Sequence, residues 1–207
     1  MKLILVRHGE TQLNKDGRIQ GIGDAPLNAT GRAQAEAAAR ALKRDLPLVL
    51  YSSPVARALE SSGIISATLK EPLIQIMELA EADAGKLEGL TGQEMRQRFP
   101  EFARRWALDS SNTEMPAGES LIQVQKRAWR AIEDLVEKHP DDTVVAVTHN
   151  FVIQTIVCAA LEIPIRNSRR LRQNLGGITR MDFSSDQSSM VSLNETWHLP
   201  AEEPSDG

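Results

Sequence analysis

The chain has 207 residues, 41% apolar and 25% charged, and 24 Lys and Arg against 28 Asp and Glu leave a formal charge of −4. This is globular composition, neither disordered nor collagen-like, and its mild acidity argues against nucleic acid as the main partner, because phosphate backbones recruit clustered Lys and Arg. A single cysteine, Cys158, cannot close an internal disulfide and fits a cytoplasmic setting; no stretch reaches the ~20 apolar residues of a membrane span, and the apolar run 3–6 stops too early for a signal peptide.

Taken in chain order, residues 3–6 form a short continuous apolar run, the mark of a strand covered on both faces. Asn28 or Thr30 can open a helix through the Ala-rich stretch to Arg44, closed by Pro47. Residues 48–51 read as a second buried strand. Ser53-Pro54 then signals a helix start, a capping Ser with Pro at the first helical position, and that helix should run to about Lys70. Residues 85–120 carry Gly89, Gly92, Pro100, Pro116 and Gly118 around two short helical pieces, an excursion over the active site at one edge of the sheet. Residues 119–139 place Leu121, Ile122, Val124, Ala128, Ile132, Leu135 and Val136 on a stripe near helical period. A third buried strand at 143–147, a helix at 151–161 stopped by Pro164, and two weaker strands at 178–183 and 190–193 separated by a Ser-rich turn complete the pattern. Alternating strands and helices predict an α/β fold, a three-layer sandwich with a mostly parallel central sheet flanked by helices. One domain, 1–199, is expected, with a frayed tail at 200–207.

Three buried strands end in polar groups of one character. The first leads into Arg7-His8-Gly9-Glu10-Thr11, the second into Ser52-Ser53-Pro54 and a helix with Arg57 in its first turn, the third into Thr148-His149-Asn150. Ligands of open α/β sheets sit beyond the carboxyl ends of strands. If the three are parallel neighbours, two imidazoles and two guanidiniums surround one point, with the N-terminus of the helix at Pro54 adding donors. Such a pocket suits a phosphate dianion, because guanidinium matches its oxygens bidentately. A neutral imidazole there is a competent nucleophile whose protonation the arginines oppose, and a leaving alkoxide requires a carboxylic acid over the pocket.

These residues resemble the histidine phosphatase superfamily, the phosphoglycerate mutase-like fold. The resemblance rests on Arg7-His8-Gly9-Glu10-Thr11, Asn14 and Gly17 to Gly21, then Asp24 to Leu27, Gly31 and Gln34-Ala35. It continues through Ser52-Ser53-Pro54 with Arg57-Ala58, Leu79-Ala80-Glu81 leading to Gly85 and Glu88-Gly89, Pro116 to Ser120, and Val147-Thr148-His149. It runs in order over nearly the whole chain. It implies a metal-independent phosphomonoesterase without a cofactor, working through a phosphohistidine on His8. Arg7, Arg57 and His149 would form the phosphate clamp, Asn14 a further phosphate contact, and Glu81 the proton donor. Gln20 and Gly21 fall at pocket-rim positions, and Asn150 joins the substrate-binding set. Ala84 and Leu87 depart from the bulky aromatics usual in the acid loop, which implies a wider or more mobile wall. Candidate substrates are phosphoserine, phosphoglycerate-like acids, sugar phosphates and α-ribazole phosphate, the first two leading. Dimerisation is compatible with the fold, though no surface stripe singles it out.

Blander readings compete at several positions. His139 reads as a helix-end or solvent-exposed residue, His198 as structural, Cys158 as a small core residue, and Trp106 and Trp129 as packing. Arg104 and Arg105 read as solvated helix charges, and the basic segment 166–172 as a plain loop with a docking rim as the alternative. A metal site on His8 and His149 is disfavoured because neighbouring arginines repel a cation. Two other functions stand beside hydrolysis. A cofactor-dependent phosphoglycerate mutase would carry a longer segment between acid loop and second histidine than Glu81 to His149 allows, and a non-catalytic phosphate-binding module would need a gap in the motif. No Gly-x-x-x-x-Gly-Lys-Ser/Thr pattern occurs, which excludes a P-loop hydrolase.

Overall fold

The apolar runs become the centre of one sheet. The computed structural model describes residues 1–45, 49–184 and 187–200. Strands β1 (Lys2–Arg7), β2 (Val49–Ser52), β3 (Leu73–Gln75), β4 (Thr143–Thr148), β5 (Ile178–Phe183) and β6 (Ser188–Glu195) are ordered β3-β2-β4-β1-β5-β6. The first four are mutually parallel where they pair, and β5 and β6 add an antiparallel edge. Arg7 lies in register with Thr148 and Ser52 with Val147, so β1, β4 and β2 end side by side.

Alternation of side chains across the pleat gives the central strands β1 and β4 two buried faces. Leu3 and Leu5 of β1, with Val144 and Ala146 of β4, pack under α6 (Leu121–Lys138) and α7 (Asn150–Ala160) through Val124, Ala128, Ile132, Ile153 and Val157. Ile4, Val6, Val145 and Val147 face the other way, onto α2 (Ala29–Leu42) and α3 (Ala56–Leu69) through Ala38, Leu42, Ala58 and Ile65. The result is helix, sheet, helix: the α/β sandwich expected, in its phosphoglycerate mutase-like form. Cys158 is buried on α7, and burial pushes its thiol up to about 11, as a core residue should behave.

Several local expectations shift. Asn28, not Thr30, caps α2, its side chain accepting from the Gly31 amide at 2.8 Å, and the helix ends at Leu42. The helix after β2 does not begin at Ser53-Pro54. Ser53 Oγ accepts the Val55 amide at 3.2 Å in a turn, and α3 starts at Ala56 with Arg57 in its first turn. Backbone donors at Pro54 therefore play no part. Short elements carried too little periodicity to be read: β3, and α1 (Gln12–Lys15), which Thr11 and Asn14 hold with a reciprocal capping box. The excursion holds α4 (Gly92–Arg98) and α5 (Pro100–Leu108). His139 caps the C-terminus of α6, its amide donating to the Leu135 carbonyl at 2.9 Å, and is buried instead of solvated, its ring bonded to Tyr51 Oη at 2.9 Å and Asp142 at 3.0 Å. Pro47, Leu48, the centre of the Ser-rich turn and residues 201–207 lie outside the described residues. Among the described residues no helix is long and apolar enough to cross a membrane.

Candidate active site

Because β1, β4 and β2 end together, the residues that follow them converge. His8 and His149 face each other with ring centroids 5.1 Å apart, both buried. Arg57 reaches the same point from α3 and is itself buried. Its Nε donates to His8 Nε2 at 3.2 Å, while its terminal nitrogens donate to the carbonyls of Gly21 at 2.7 Å and Gly23 at 3.2 Å. Arg7 is anchored by donation to the Gln173 carbonyl. A guanidinium tied by carbonyls cannot swing away, so the clamp is set before any ligand arrives.

Each imidazole has a distinct partner. His8 Nδ1 lies 2.7 Å from the Gly9 carbonyl, which fixes the proton on Nδ1 and leaves the Nε2 lone pair toward Arg57. His149 Nε2 lies 2.7 Å from Ser53 Oγ, and its Nδ1 is buried with no protein partner. Burial, then Arg57 and Arg7, hold His8 well below the ordinary histidine value, and burial with Arg57 does the same to His149, so both rings are neutral near pH 7. Burial likewise lowers Arg7 to about 10, still protonated.

Glu81 follows a 3-10 turn at Met77–Leu79 and is 5% exposed. Burial raises its carboxyl above the ordinary value, opposed by the Ala82 amide at 2.9 Å, by Arg57 and Arg7, and by the more distant Phe151 amide. A buried carboxyl that favours its protonated form suits a general acid.

Arg7, His8, Asn14, Gln20, Arg57, Glu81 and Asn150 all line one cavity of about 260 Å³. Thr11 Oγ1 shares its proton between the side-chain oxygens Asn14 Oδ1 at 3.0 Å and Gln20 Oε1 at 2.9 Å, and Gln20 Nε2 is buried with no protein partner, a donor available to an anion. His149 is not among the lining residues; its ring packs beside that of His8. Gly21 does not line the cavity either. Its amide is held by Glu88, its carbonyl orders Arg57, and a Cβ there would meet the Ala84 amide at 2.5 Å, so Gly21 shapes the clamp from outside the cavity. Among the described residues no group of three or more His, Cys, Asp and Glu is placed to hold a metal ion.

The rest of the cavity wall comes from the excursion and was not read from the sequence. Leu87, Met95, Phe102, Trp106 and Met115 line it, with Arg18, Ile19 and Phe151. Trp106, expected only to pack, does both. It contacts Phe102 and Phe151 at ring centroid distances of 5.4 and 6.0 Å and faces the cavity, whereas Trp129 packs against Phe183. Arg127 of α6 was also missed. It donates to the Glu78, Ala80 and Glu81 carbonyls at 2.6, 2.7 and 2.9 Å and pairs with Glu119 at 2.8 Å, strapping the acid loop to the helix. Glu119 stood in a motif, but nothing in the local pattern around Arg127 pointed to the loop. Arg104 pairs with Glu101 on the surface, as a solvated charge should.

The comparisons with known proteins agree with this geometry. The model of the histidine phosphatase superfamily (branch 1) matches residues 3–196. Phosphoserine phosphatase 1 of Hydrogenobacter thermophilus is 31% identical over 96% of this chain and 94% of its own length. Among solved structures, YhfR of Bacillus stearothermophilus superposes with a TM-score of 0.91 at 28% identity, covering 96% of this chain and 99% of that one. A mycobacterial glucosyl-3-phosphoglycerate phosphatase bound to VO3 gives a TM-score of 0.86 at 28% identity, covering 94% and 99%. The chain belongs to the histidine phosphatase superfamily, branch 1, and is a phosphoric monoester hydrolase of that family.

Proposed function

We propose that the protein hydrolyses small phosphate esters in two steps through His8, without a metal. The observation that carries this reading is the convergence of two neutral histidines and two anchored arginines beneath a buried carboxyl. Arg7, Arg57, the His149 Nδ1 proton, Asn14 and Gln20 hold the non-bridging oxygens, with Asn150 at the rim. A phosphoryl oxygen that takes the Arg57 Nε–H frees His8 Nε2, which forms the new N–P bond as the ester P–O bond breaks. Glu81 delivers its proton to the departing alkoxide. The Glu81 carboxylate then accepts a proton from water as that water attacks phosphorus, the N–P bond breaks, and inorganic phosphate and free His8 result. Arginines and neutral donors supply the charge stabilisation that dominates phosphoryl transfer. The lone buried Cys158 supports a reducing, cytoplasmic setting.

The names of its relatives support small phosphorylated metabolites as substrates: phosphoserine for the Hydrogenobacter enzyme, glucosyl-3-phosphoglycerate for the mycobacterial one. The test is phosphate release by His8→Ala in the presence of chelator. Loss of turnover, with wild-type turnover indifferent to chelator, upholds the mechanism; undiminished turnover in the variant removes it.

A further inference from the structure

The far end of the cavity has a chemistry of its own. Beside the polar groups its lining includes Leu87, Met95, Phe102, Trp106, Met115 and Phe151, with Ile19 and Arg18. The three aromatics contact one another in sequence, Phe102 to Trp106 to Phe151, so the wall is fixed by its own packing. The two methionines add polarisable, adaptable surface.

A substrate such as phosphoserine or a phosphoglycerate carries a carboxylate, and phosphoserine an ammonium, next to the ester. Either charge needs a partner when it leaves water. Among the described residues lining the cavity, Arg18 is the one cation outside the clamp. It is already engaged: its Nη1 donates to the Gly89 carbonyl at 2.8 Å and pairs with Glu94 at 3.2 Å. Glu94 is in turn held by the Thr91 amide at 2.7 Å, in the capping box that starts α4. An incoming carboxylate must share this guanidinium, whose charge Glu94 already offsets. An ammonium finds only Glu81, which the reaction needs protonated.

We infer that the preferred substrates are phosphate esters of uncharged, apolar or aromatic alcohols, whose leaving group lies against Phe102, Trp106 and Phe151. This rests on the His8 reading and narrows it. The cavity volume, about 260 Å³, accommodates the phosphoryl group with a leaving group of about one ring, at the small end of ordinary ligand pockets.

Benzyl phosphate and O-phosphoserine are a fair pair for the test, because both are unactivated esters of primary alcohols. For the wild-type enzyme we expect kcat/KM for benzyl phosphate to exceed that for O-phosphoserine by roughly tenfold or more. Trp106→Leu should remove most of that advantage, chiefly through KM, and competitive inhibition by inorganic phosphate reports that the clamp of the variant is intact. Glu94→Gln, which keeps an acceptor for Thr91 but removes the negative charge that offsets Arg18, should narrow the gap from the other side by raising turnover of O-phosphoserine. O-phosphoserine equal or superior in the wild type, or a benzyl advantage that survives Trp106→Leu, overturns the inference. His8→Ala assayed alongside separates the two readings. Loss of both activities in that variant upholds the His8 mechanism even where the preference fails, and retained activity removes that mechanism whatever the preference.

Discussion

The Ser53 hydroxyl lies 2.7 Å from His149 Nε2, with both side chains fully buried. That hydroxyl also accepts the Val55 amide and keeps a second lone pair, and the reading that leaves Nδ1 free to donate to phosphate takes the serine proton at Nε2. The imidazole then carries its hydrogen on Nδ1, the buried nitrogen without a protein partner. His8 is the mirror case, with Nδ1–H given to the Gly9 carbonyl and Nε2 left as base and nucleophile. In the proposed mechanism one ring donates and the other attacks. Ser53→Ala should lower kcat by about tenfold or more with a smaller change in KM. It should also destabilise the protein by about 1–3 kcal/mol by leaving Nε2 unpaired. Ser53→Thr keeps the hydroxyl and should recover turnover; a kcat split unmoved by Ser53→Ala would show that the serine only packs.

Glu81 is held in a place that costs stability. Its carboxyl is raised above the ordinary value mainly by burial. The folded protein therefore binds the proton more tightly than the unfolded chain, and the penalty grows as pH rises through the folded-state value. Glu81→Gln should raise the Tm at pH 8, and the gain should vanish below the ordinary carboxyl range near pH 4, where both states are protonated. The same variant should lose about 10²–10⁴ in kcat. Thermal melts at the two pH values, beside a turnover assay, check both halves.

His8 contributes with the opposite sign. Burial and the two arginines hold its folded-state value well below the unfolded one, so the ring is neutral through pH 6.5 and the nucleophile persists there. Turnover should stay level from pH 7 to 6, and folding stability should begin to fall as pH drops below the ordinary histidine value, where only the unfolded chain takes up the proton. A kcat/KM profile that collapses near pH 6.5 would contradict this.

Arg127 ties three carbonyls of the acid loop to Glu119, whose carboxylate also accepts the Asp83 amide at 3.0 Å. Arg127→Ala leaves the half-buried Glu119 carboxylate with the Asp83 amide but no cation, and takes the donor from those carbonyls, a loss of about 2–4 kcal/mol. Arg127→Lys restores the charge but not the fork, so it should recover stability in part while Glu81 stays poorly aligned and kcat low. Urea melts and initial rates on the pair of variants distinguish the two effects.

The loop after β1 rests on the first turn of α2. A Cβ on Gly31 would collide with the backbone of Glu10, and one on Gly9 with the Gly31 carbonyl. Gly31→Ala should cost about 1–3 kcal/mol by displacing the loop, and kcat should fall with it because His8 is adjacent. Denaturation and turnover measured together test the link; a stable, fully active variant would show that the loop can move.

The sheet and the convergence of His8, His149, Arg7 and Arg57 were legible because both are written locally: apolar runs of strand length, each leading to His or Arg within a few residues, in a sheet where parallel neighbours end together. Ser53-Pro54 misled because a serine before proline imitates a cap, while here its hydroxyl serves a histidine far along the chain. Gly21 was placed at the rim, yet its contribution passes through its carbonyl to Arg57. The apolar end of the cavity stayed hidden, since Phe102 and Trp106 on α5 look the same in sequence whether a helix buries them against the core or turns them toward a ligand. Arg127 escaped for a related reason: its acceptors are backbone carbonyls, which leave no trace in side-chain pattern.

Arg7 and Thr148 are partners in the β1–β4 ladder, and the two imidazoles follow them. Contacts of such sequence separation form slowly, because a very long loop must close first. Refolding kinetics should therefore show helix content returning well ahead of enzymatic rate, and a chain released before its second half is synthesised has no nucleophile–donor pair to misfire with.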